Sequence, residues 1–273
     1  MGLTSAYRSL KPEQQQIIDN KVVDLNRPIG ELIELLEPVA ACDTLVGKSK
    51  TTAGCSIALL VIGIIVSFIF APFPFNFIIA AVLVGVIVWL GRMLKIAQRM
   101  DCSDNLGGFA IPMLKLLRDD FKPEEPVHVH LDLRLPTAKE KFARKSDPYK
   151  RGAYYKIIDT FYQDDWFSGE AHLTDGSRFR WTIEETIRES KKSKKTPRGK
   201  YKTKTKYKKK ASIEVELVLR KKMYAVEGAA KESEKSATVR ASRKFVQPSN
   251  DTIPLDPMLE LVGGIYKAAK PAQ

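Results

Sequence analysis

The sequence predicts an α+β membrane protein: a two-helix transmembrane hairpin with flanking cytoplasmic helices and a C-terminal antiparallel β domain, built as a meander, small barrel or sandwich. Three observations carry this. Residues 51–91 are 41 consecutive positions without Lys, Arg, Asp, Glu or His. Between residues 127 and 219, apolar and polar positions repeatedly alternate with a period of two. The charge is also partitioned. Residues 1–52 hold six Lys/Arg against seven Asp/Glu, and residues 92–273 hold 39 against 25, while the whole chain carries a formal +13. Along the chain this gives a cytoplasmic helical region at 1–50, the transmembrane hairpin at 51–94 and a helical connector at 95–125. A basic β domain at 126–250 contains a long hairpin at 178–219, and a C-terminal helix occupies 251–273.

The uncharged run divides into two segments. A span of ~20 apolar residues crosses a hydrocarbon core of ~30 Å. Residues 53–70 and 77–94 each approach that length, and Pro72, Pro74 and Asn76 between them break the helix and permit a tight reversal. Phe68, Phe70, Phe73, Phe75 and Phe77 cluster at the turn and Trp89 lies at the other end, as interfacial anchors do. Lys48 and Lys50 precede the first helix, and Arg92, Lys95 and Arg99 follow the second. Both flanks are basic and the turn is uncharged, so both termini are expected on the cytoplasmic side of an inner or plasma membrane. A wedge that enters and leaves one leaflet gives the same placement of the termini. Gly63 with Ser67 and Ala81 with Gly85 are four apart and suit close helix packing, with homo-oligomerisation as a further use. The absence of an ionisable residue in either span argues against a proton relay, an ion transporter or a voltage sensor.

Before the hairpin, residues 9–26 and 27–46 read as two short helices. Their apolar faces hold Ile17, Ile18, Val22, Val23 and Leu25, then Leu32, Ile33, Leu35 and Leu36 after a helix start at Pro28. Gly47-Lys48-Ser49 matches the end of a phosphate-binding loop, but Cys42 stands where the first glycine belongs, so nucleotide binding is rejected. Cys42, Cys55 and Cys102 form neither a metal nor a disulfide pattern and suit a reducing compartment.

After the hairpin, residues 91–100 continue the second helix, and 106–121 form a short amphipathic helix ended by Pro123 and Pro126. Residues 127–135 alternate strictly, placing His128, His130 and Asp132 on one polar face with Arg134. This order resembles part of a metal-ligand set, but the solvated face is the preferred reading. Asp175-Gly176 marks a hairpin turn between about 166–174 and a strand with Phe179, Trp181, Ile183 and Ile187 on one side. Asp164-Asp165 is read as a turn rather than a catalytic carboxylate pair, since adjacent strand residues point opposite ways. Pro197 and Gly199 form the next turn. Residues 200–219 then keep one register. Tyr201, Thr203, Thr205, Tyr207, Lys209, Ala211, Ile213, Val215, Leu217 and Leu219 lie on one side, with Lys209 the lone charge there. A polar linker at 227–236, a strand at 236–247 and a helix at 256–270 complete the chain.

Twelve of the twenty residues from 191 to 210 are Lys or Arg, with no acid among them. The expected anion-binding set is Lys191, Lys192, Lys194, Lys195 and Arg198 on the first arm and turn. It continues with Lys200, Lys202, Lys204, Lys206, Lys208 and Lys210 on the second. Lysines that blunt a strand edge account for a few of these but not for such density. Anionic lipid headgroups, an acidic protein and nucleic acid are the partners considered, besides the bilayer itself. Because Tyr201 and Tyr207 project opposite the even-numbered lysines, a mixed stacking-and-charge face is not expected. There is no nucleophile motif, no supported phosphate loop, no cofactor motif and no convincing metal set, so no catalytic residue is nominated and the protein reads as a non-enzyme. The leading expectation is a membrane-anchored adaptor that presents a basic β domain to an anionic partner. The alternative is a membrane-perturbing effector whose β domain senses a ligand and whose helical hairpins oligomerise.

Overall fold

A computed structural model describes residues 3–70, 72–226, 231–247 and 252–271. Two compact units result, one formed by residues 1–20 and 37–104 and the other by residues 21–36 and 105–273.

The helical unit opens with α1 (Leu3–Arg8) and α2 (Pro12–Asn20), tied together by the Tyr7 hydroxyl, which donates to Asp19 Oδ2 at 2.8 Å. Two long apolar helices follow, α3 (Ile29–Phe70, of which residues from 37 belong to this unit) and α4 (Phe75–Met100). Both are long and apolar enough to cross a membrane, and only 6% and 0% of their most apolar stretches are buried. Leu59, Phe70, Phe73 and Trp89 are 69%, 79%, 80% and 58% exposed, which is the reverse of what a water-soluble core helix does with such residues. At the α4 end, Asp43 Oδ1 accepts the Cys102 backbone N–H at 2.8 Å and Lys50 pairs with Asp101. Gly63 faces Leu83 at ordinary contact distance, as a packing glycine would, whereas a Cβ at Gly85 would meet nothing within 4 Å. Gly85 is therefore not the close-packing notch its spacing suggested.

The expected break between a short helix at 27–46 and the first apolar segment does not occur; α3 runs through both, with Pro38 inside it. The expected helix at 9–26 ends at Asn20. Lys21 adopts a left-handed φ of 61° and the chain turns into strand β1 (Val22–Pro28). Its partner explains the change. β1 pairs antiparallel with β2 (Pro126–Asp132), from Val22 opposite Asp132 to Pro28 opposite Pro126. Tertiary pairing overrides a helical pattern that was weak locally.

The main sheet of the β unit is open and antiparallel rather than a closed barrel or sandwich. Its strands are β1, β2, β3 (Phe142–Lys145), β4 (Tyr149–Arg151), β5 (Tyr154–His172), β6 (Arg178–Lys195), β7 (Tyr201–Arg220), β9 (Lys231–Glu232) and β10 (Ser236–Gln247). The order is β1-β2-β5-β6-β7-β10-β9, with β3 and β4 also paired to β5. A separate two-stranded sheet joins β8 (Tyr224–Val226) to β11 (Ala269–Pro271). Of the expected linker, residues 227–230 lie outside the described residues and 231–232 form β9. The Asp175-Gly176 turn is as expected. Gly176 has φ +79° and Asp175 Oδ1 accepts the Ser177 N–H at 2.7 Å.

One face of the sheet is the core. Phe179, Trp181, Ile183 and Ile187 of β6 and Ala211, Ile213, Val215, Leu217 and Leu219 of β7 are all buried on it. The segment 106–121, a π-helical turn at Leu106–Ala110 and then α5 (Ile111–Leu117), covers this face. Phe109 meets Trp166 and Phe167 edge-on at 6.0 and 6.4 Å, and Phe121 stacks on Trp181 at 6.3 Å. Helix α6 (Asp256–Ala268) packs against β10 and β7. A bulge between Asp165 and Phe167 lets both Trp166 and Phe167 bury, which an unbroken strand forbids.

Candidate functional site

β6 and β7 form the long hairpin, in register from Arg178 opposite Val218 to Lys195 opposite Tyr201. Its turn is closed by the Thr196 N–H donating to Lys200 O at 2.8 Å, with Gly199 at φ +78°. β5 flanks β6 as far as Lys156 opposite Ser193, while β10 leaves β7 at Gln247 opposite Lys209. Asp159 secures this half from the other side: it accepts from Ser190 Oγ at 2.5 Å and from the Tyr149 hydroxyl at 3.0 Å.

The strand register sorts the charges. On the outer face of the core half, opposite signs meet across strands. Glu216 lies between its register partners Arg180 and Arg240, and Arg180 Nε also reaches Glu170 Oε2 at 2.6 Å. Salt-bridged in this way, the Glu216 carboxyl lies below its usual range, chiefly through the Arg240 hydrogen bond. Toward the turn the same face changes character. Lys194 is directly opposite Lys202, Lys192 opposite Lys204 and Arg188 opposite Lys208. Like charges directly opposite each other destabilise a sheet.

Of the eleven expected anion-binding residues, Lys192, Lys194, Lys202, Lys204, Lys206, Lys208 and Lys210 share that outer face. Lys191 and Lys195 lie on the other, and Arg198 and Lys200 sit in the turn. All are exposed except Lys192, which is half-buried. Among the described residues, the ion pair that reaches this set joins Lys191 to Glu189 at 3.6 Å. Tyrosine and lysine do meet here, contrary to the expectation drawn from β7 alone. Lys195 is the register partner of Tyr201, with Nζ 6.0 Å from the ring centroid, and Lys192 Nζ lies 5.9 Å from the ring of Tyr154. The alternation of one strand says nothing about the neighbour's residues on the same face.

A second feature was not read from the sequence. Lys141, with a side chain only 4% exposed, places Nζ 2.6 Å from Asp164 Oδ1, 3.3 Å from Asp132 Oδ1 and 2.9 Å from Arg134 O. Asp164 is directly opposite Glu185, which is 0% exposed. Asp164 and Asp165 therefore lie in strand β5, not in a turn, with Asp164 inward and Asp165 outward. Burial pushes the Asp164 carboxyl up to about 7, against the pull of Lys141, and the Glu185 and Asp132 carboxylates add to the rise. Glu185 is also raised by burial, which Lys209 and the side chains of Asn105, Gln247 and Lys141 offset only in part. Asp132 is opposed by burial too, yet the fork of Arg134 and the charge of Lys141 hold it below its ordinary range. The available signals were Glu185 and Lys209, both charges in otherwise apolar registers.

His128 is exposed and His130 pairs with Asp24 Oδ1 at 2.7 Å, so these two do lie on an accessible face, but Asp132 turns inward to Arg134 and Lys141. Among the described residues no three His, Cys, Asp or Glu are placed to hold a metal ion. Neither a family model, nor a curated protein, nor a solved structure matches this chain, so its functional reading rests on its own residues.

Proposed function

We propose that this protein is a non-enzymatic, membrane-anchored adaptor that holds a basic β-hairpin on the cytoplasmic face to bind an anionic partner. The observation that carries the reading is the pair of opposed rows, Lys192 and Lys194 against Lys204 and Lys202. The same sheet face balances its charges at Arg180, Glu216 and Arg240, so the imbalance is local. Edge protection accounts for lysines of β7, which among the described residues has no second partner before Lys209, but not for Lys191 and Lys192, because β6 is hydrogen-bonded on both sides through Ser193. A bound polyanion would relieve the repulsion.

Two features support the anchoring. The apolar residues of α3 and α4 are exposed, as lipid contact requires. In addition, β1 precedes these helices and β2 follows them, yet the two strands are hydrogen-bonded to each other. This supports an arrangement with an even number of crossings between them, as in a hairpin or a one-leaflet wedge.

The test uses the full chain purified in detergent. Salt-sensitive retention on phosphatidylserine vesicles, an acidic peptide or an oligonucleotide is expected, with loss when Lys202, Lys204, Lys206 and Lys208 become Gln. Unchanged binding by that variant would sink the adaptor mechanism, and oligomer-dependent dye release from neutral vesicles would favour a membrane-perturbing effector instead. Labelling of a cysteine placed at Phe73 from outside the membrane separates a spanning hairpin from a wedge.

A further inference from the structure

We infer that the end of the β6–β7 hairpin binds single-stranded nucleic acid, with phosphates on the lysine rows and bases against Tyr155 and Tyr201. The inference rests on the reading of the hairpin as an anion-binding site and names the class of anion.

The tyrosines point to bases rather than to charge alone. Tyr201 is 66% exposed and Tyr155 43%, and their rings meet edge-on with centroids 5.4 Å apart. Lys195 lies over Tyr201 and Lys192 over the adjacent, half-buried Tyr154, so lysine ammonium groups already stand against ring faces here. Rings left this open contribute little to packing. A basic track interleaved with aromatic faces is the combination that holds single strands without reading their sequence. In a duplex the base faces are already stacked inside and cannot reach the rings, so the fit is to unpaired strands.

The arrangement of charge and the lack of apolar residues favour a strand over a bilayer. Lys194, Lys202 and Lys204 are on one face, Lys191 and Lys195 on the other, and Arg198 and Lys200 in the turn between them. A planar headgroup surface meets one of these faces at a time, whereas a flexible polyanion passes around the end and meets both. Residues 188–210 also contain no Val, Leu, Ile, Met, Phe or Trp. Segments that bind membrane surfaces usually combine basic residues with such side chains, which enter the acyl boundary. An acidic protein would satisfy the lysines but give the exposed rings no role.

The full chain in detergent is titrated against a fluorescent oligouridine, with inorganic polyphosphate as a base-free polyanion of similar charge and phosphatidylserine vesicles as the bilayer. Oligouridine should bind more tightly than polyphosphate. The Tyr155→Ser/Tyr201→Ser variant should lose about 5-fold or more in oligouridine affinity for each ring that carries a base. It should keep its polyphosphate affinity, and Tyr155→Phe/Tyr201→Phe should bind oligouridine as the parent does. Changing Lys202, Lys204, Lys206 and Lys208 to Gln should lower the slope of log affinity against log salt by about 3. If the serine variant binds oligouridine as well as the parent, or if only vesicles are bound, the nucleic-acid inference is overturned while an anion-binding hairpin stands. If no polyanion binds at all, both readings fail.

Discussion

Replacing Asp164 by Asn should make the β unit more stable at alkaline pH and leave it nearly unchanged at acidic pH. The unfolded chain releases the Asp164 proton near its ordinary value of 3.8, whereas burial holds it in the folded chain up to about 7. Between those values the folded state binds the extra proton, so the Asp164 contribution to stability falls as pH rises through this window and is flat above it. The interval from 3.8 to about 7 corresponds to about 4 kcal/mol of penalty for the ionised form. Asn resembles the protonated acid and escapes that penalty. Lys141 retains Asp132 Oδ1 and Arg134 O as partners, so part of the gain is lost with its contact to Asp164. The net gain should be about 2–4 kcal/mol at about pH 8.5 and under about 1 kcal/mol at about pH 5. Chemical unfolding of the full chain in detergent would be followed by tryptophan emission. Trp166 and Trp181 are fully buried in the β unit, and a Trp89→Phe background silences the exposed indole on α4. An equal difference between variant and parent at the two pH values would refute the argument that burial of the ionised carboxylate dominates here.

Three further outcomes follow from the same geometry. Lys141→Met should destabilise the β unit by about 3–5 kcal/mol at alkaline pH, because it leaves Asp164 without its cation, and by clearly less at about pH 5, where Asp164 is protonated; the same unfolding assay reads both. Gly169→Ala would place a Cβ 2.3 Å from Trp181 Cζ2 and 2.5 Å from the His128 carbonyl oxygen, so a loss of about 1–3 kcal/mol or more is expected in denaturant midpoint. Changing Lys202 and Lys204 to Gln removes two like-charge pairs. Amide exchange near the hairpin end should slow in low salt, by an amount worth about 0.2–1 kcal/mol per pair, with the difference fading in high salt.

The parts of the fold that were legible in the sequence are those whose signal is local. β6 and β7 alternate with a period of two, broken on the inward side only by charges such as Glu185 and Lys209, and the turns at Asp175-Gly176 and Pro197–Gly199 need backbone conformations that glycine supplies. β1 was misread because Ile17, Ile18, Val22 and Val23 satisfy a helical spacing, while the partner that makes it a strand lies at Pro126–Asp132. Lys21, the left-handed residue that separates helix from strand, carries no mark of that role in its identity. The bulge after Asp165 likewise put Asp164 into the interior, since it interrupts the alternation by which a buried acid would be seen. For the candidate site, the lysines were visible as composition. Their opposition across strands, and the approach of Lys192 and Lys195 to tyrosine rings, depend on register between segments and could be seen only once those segments were paired.

The pairing of β1 with β2 also sets a timetable for biogenesis. Val22 waits for Asp132, which is 110 residues later (132 − 22) in the order of synthesis. At ~5–20 residues per second the ribosome needs roughly 5–20 s to supply that partner. Both apolar helices emerge within this interval, while the first strand remains an open edge. The strand made first thus meets its partner before β5, β6, β7 and β10 have been made. Under the proposed anchoring, conditions that slow insertion of α3 and α4 should lengthen the life of that edge and expose the nascent chain to aggregation before its basic hairpin has been translated.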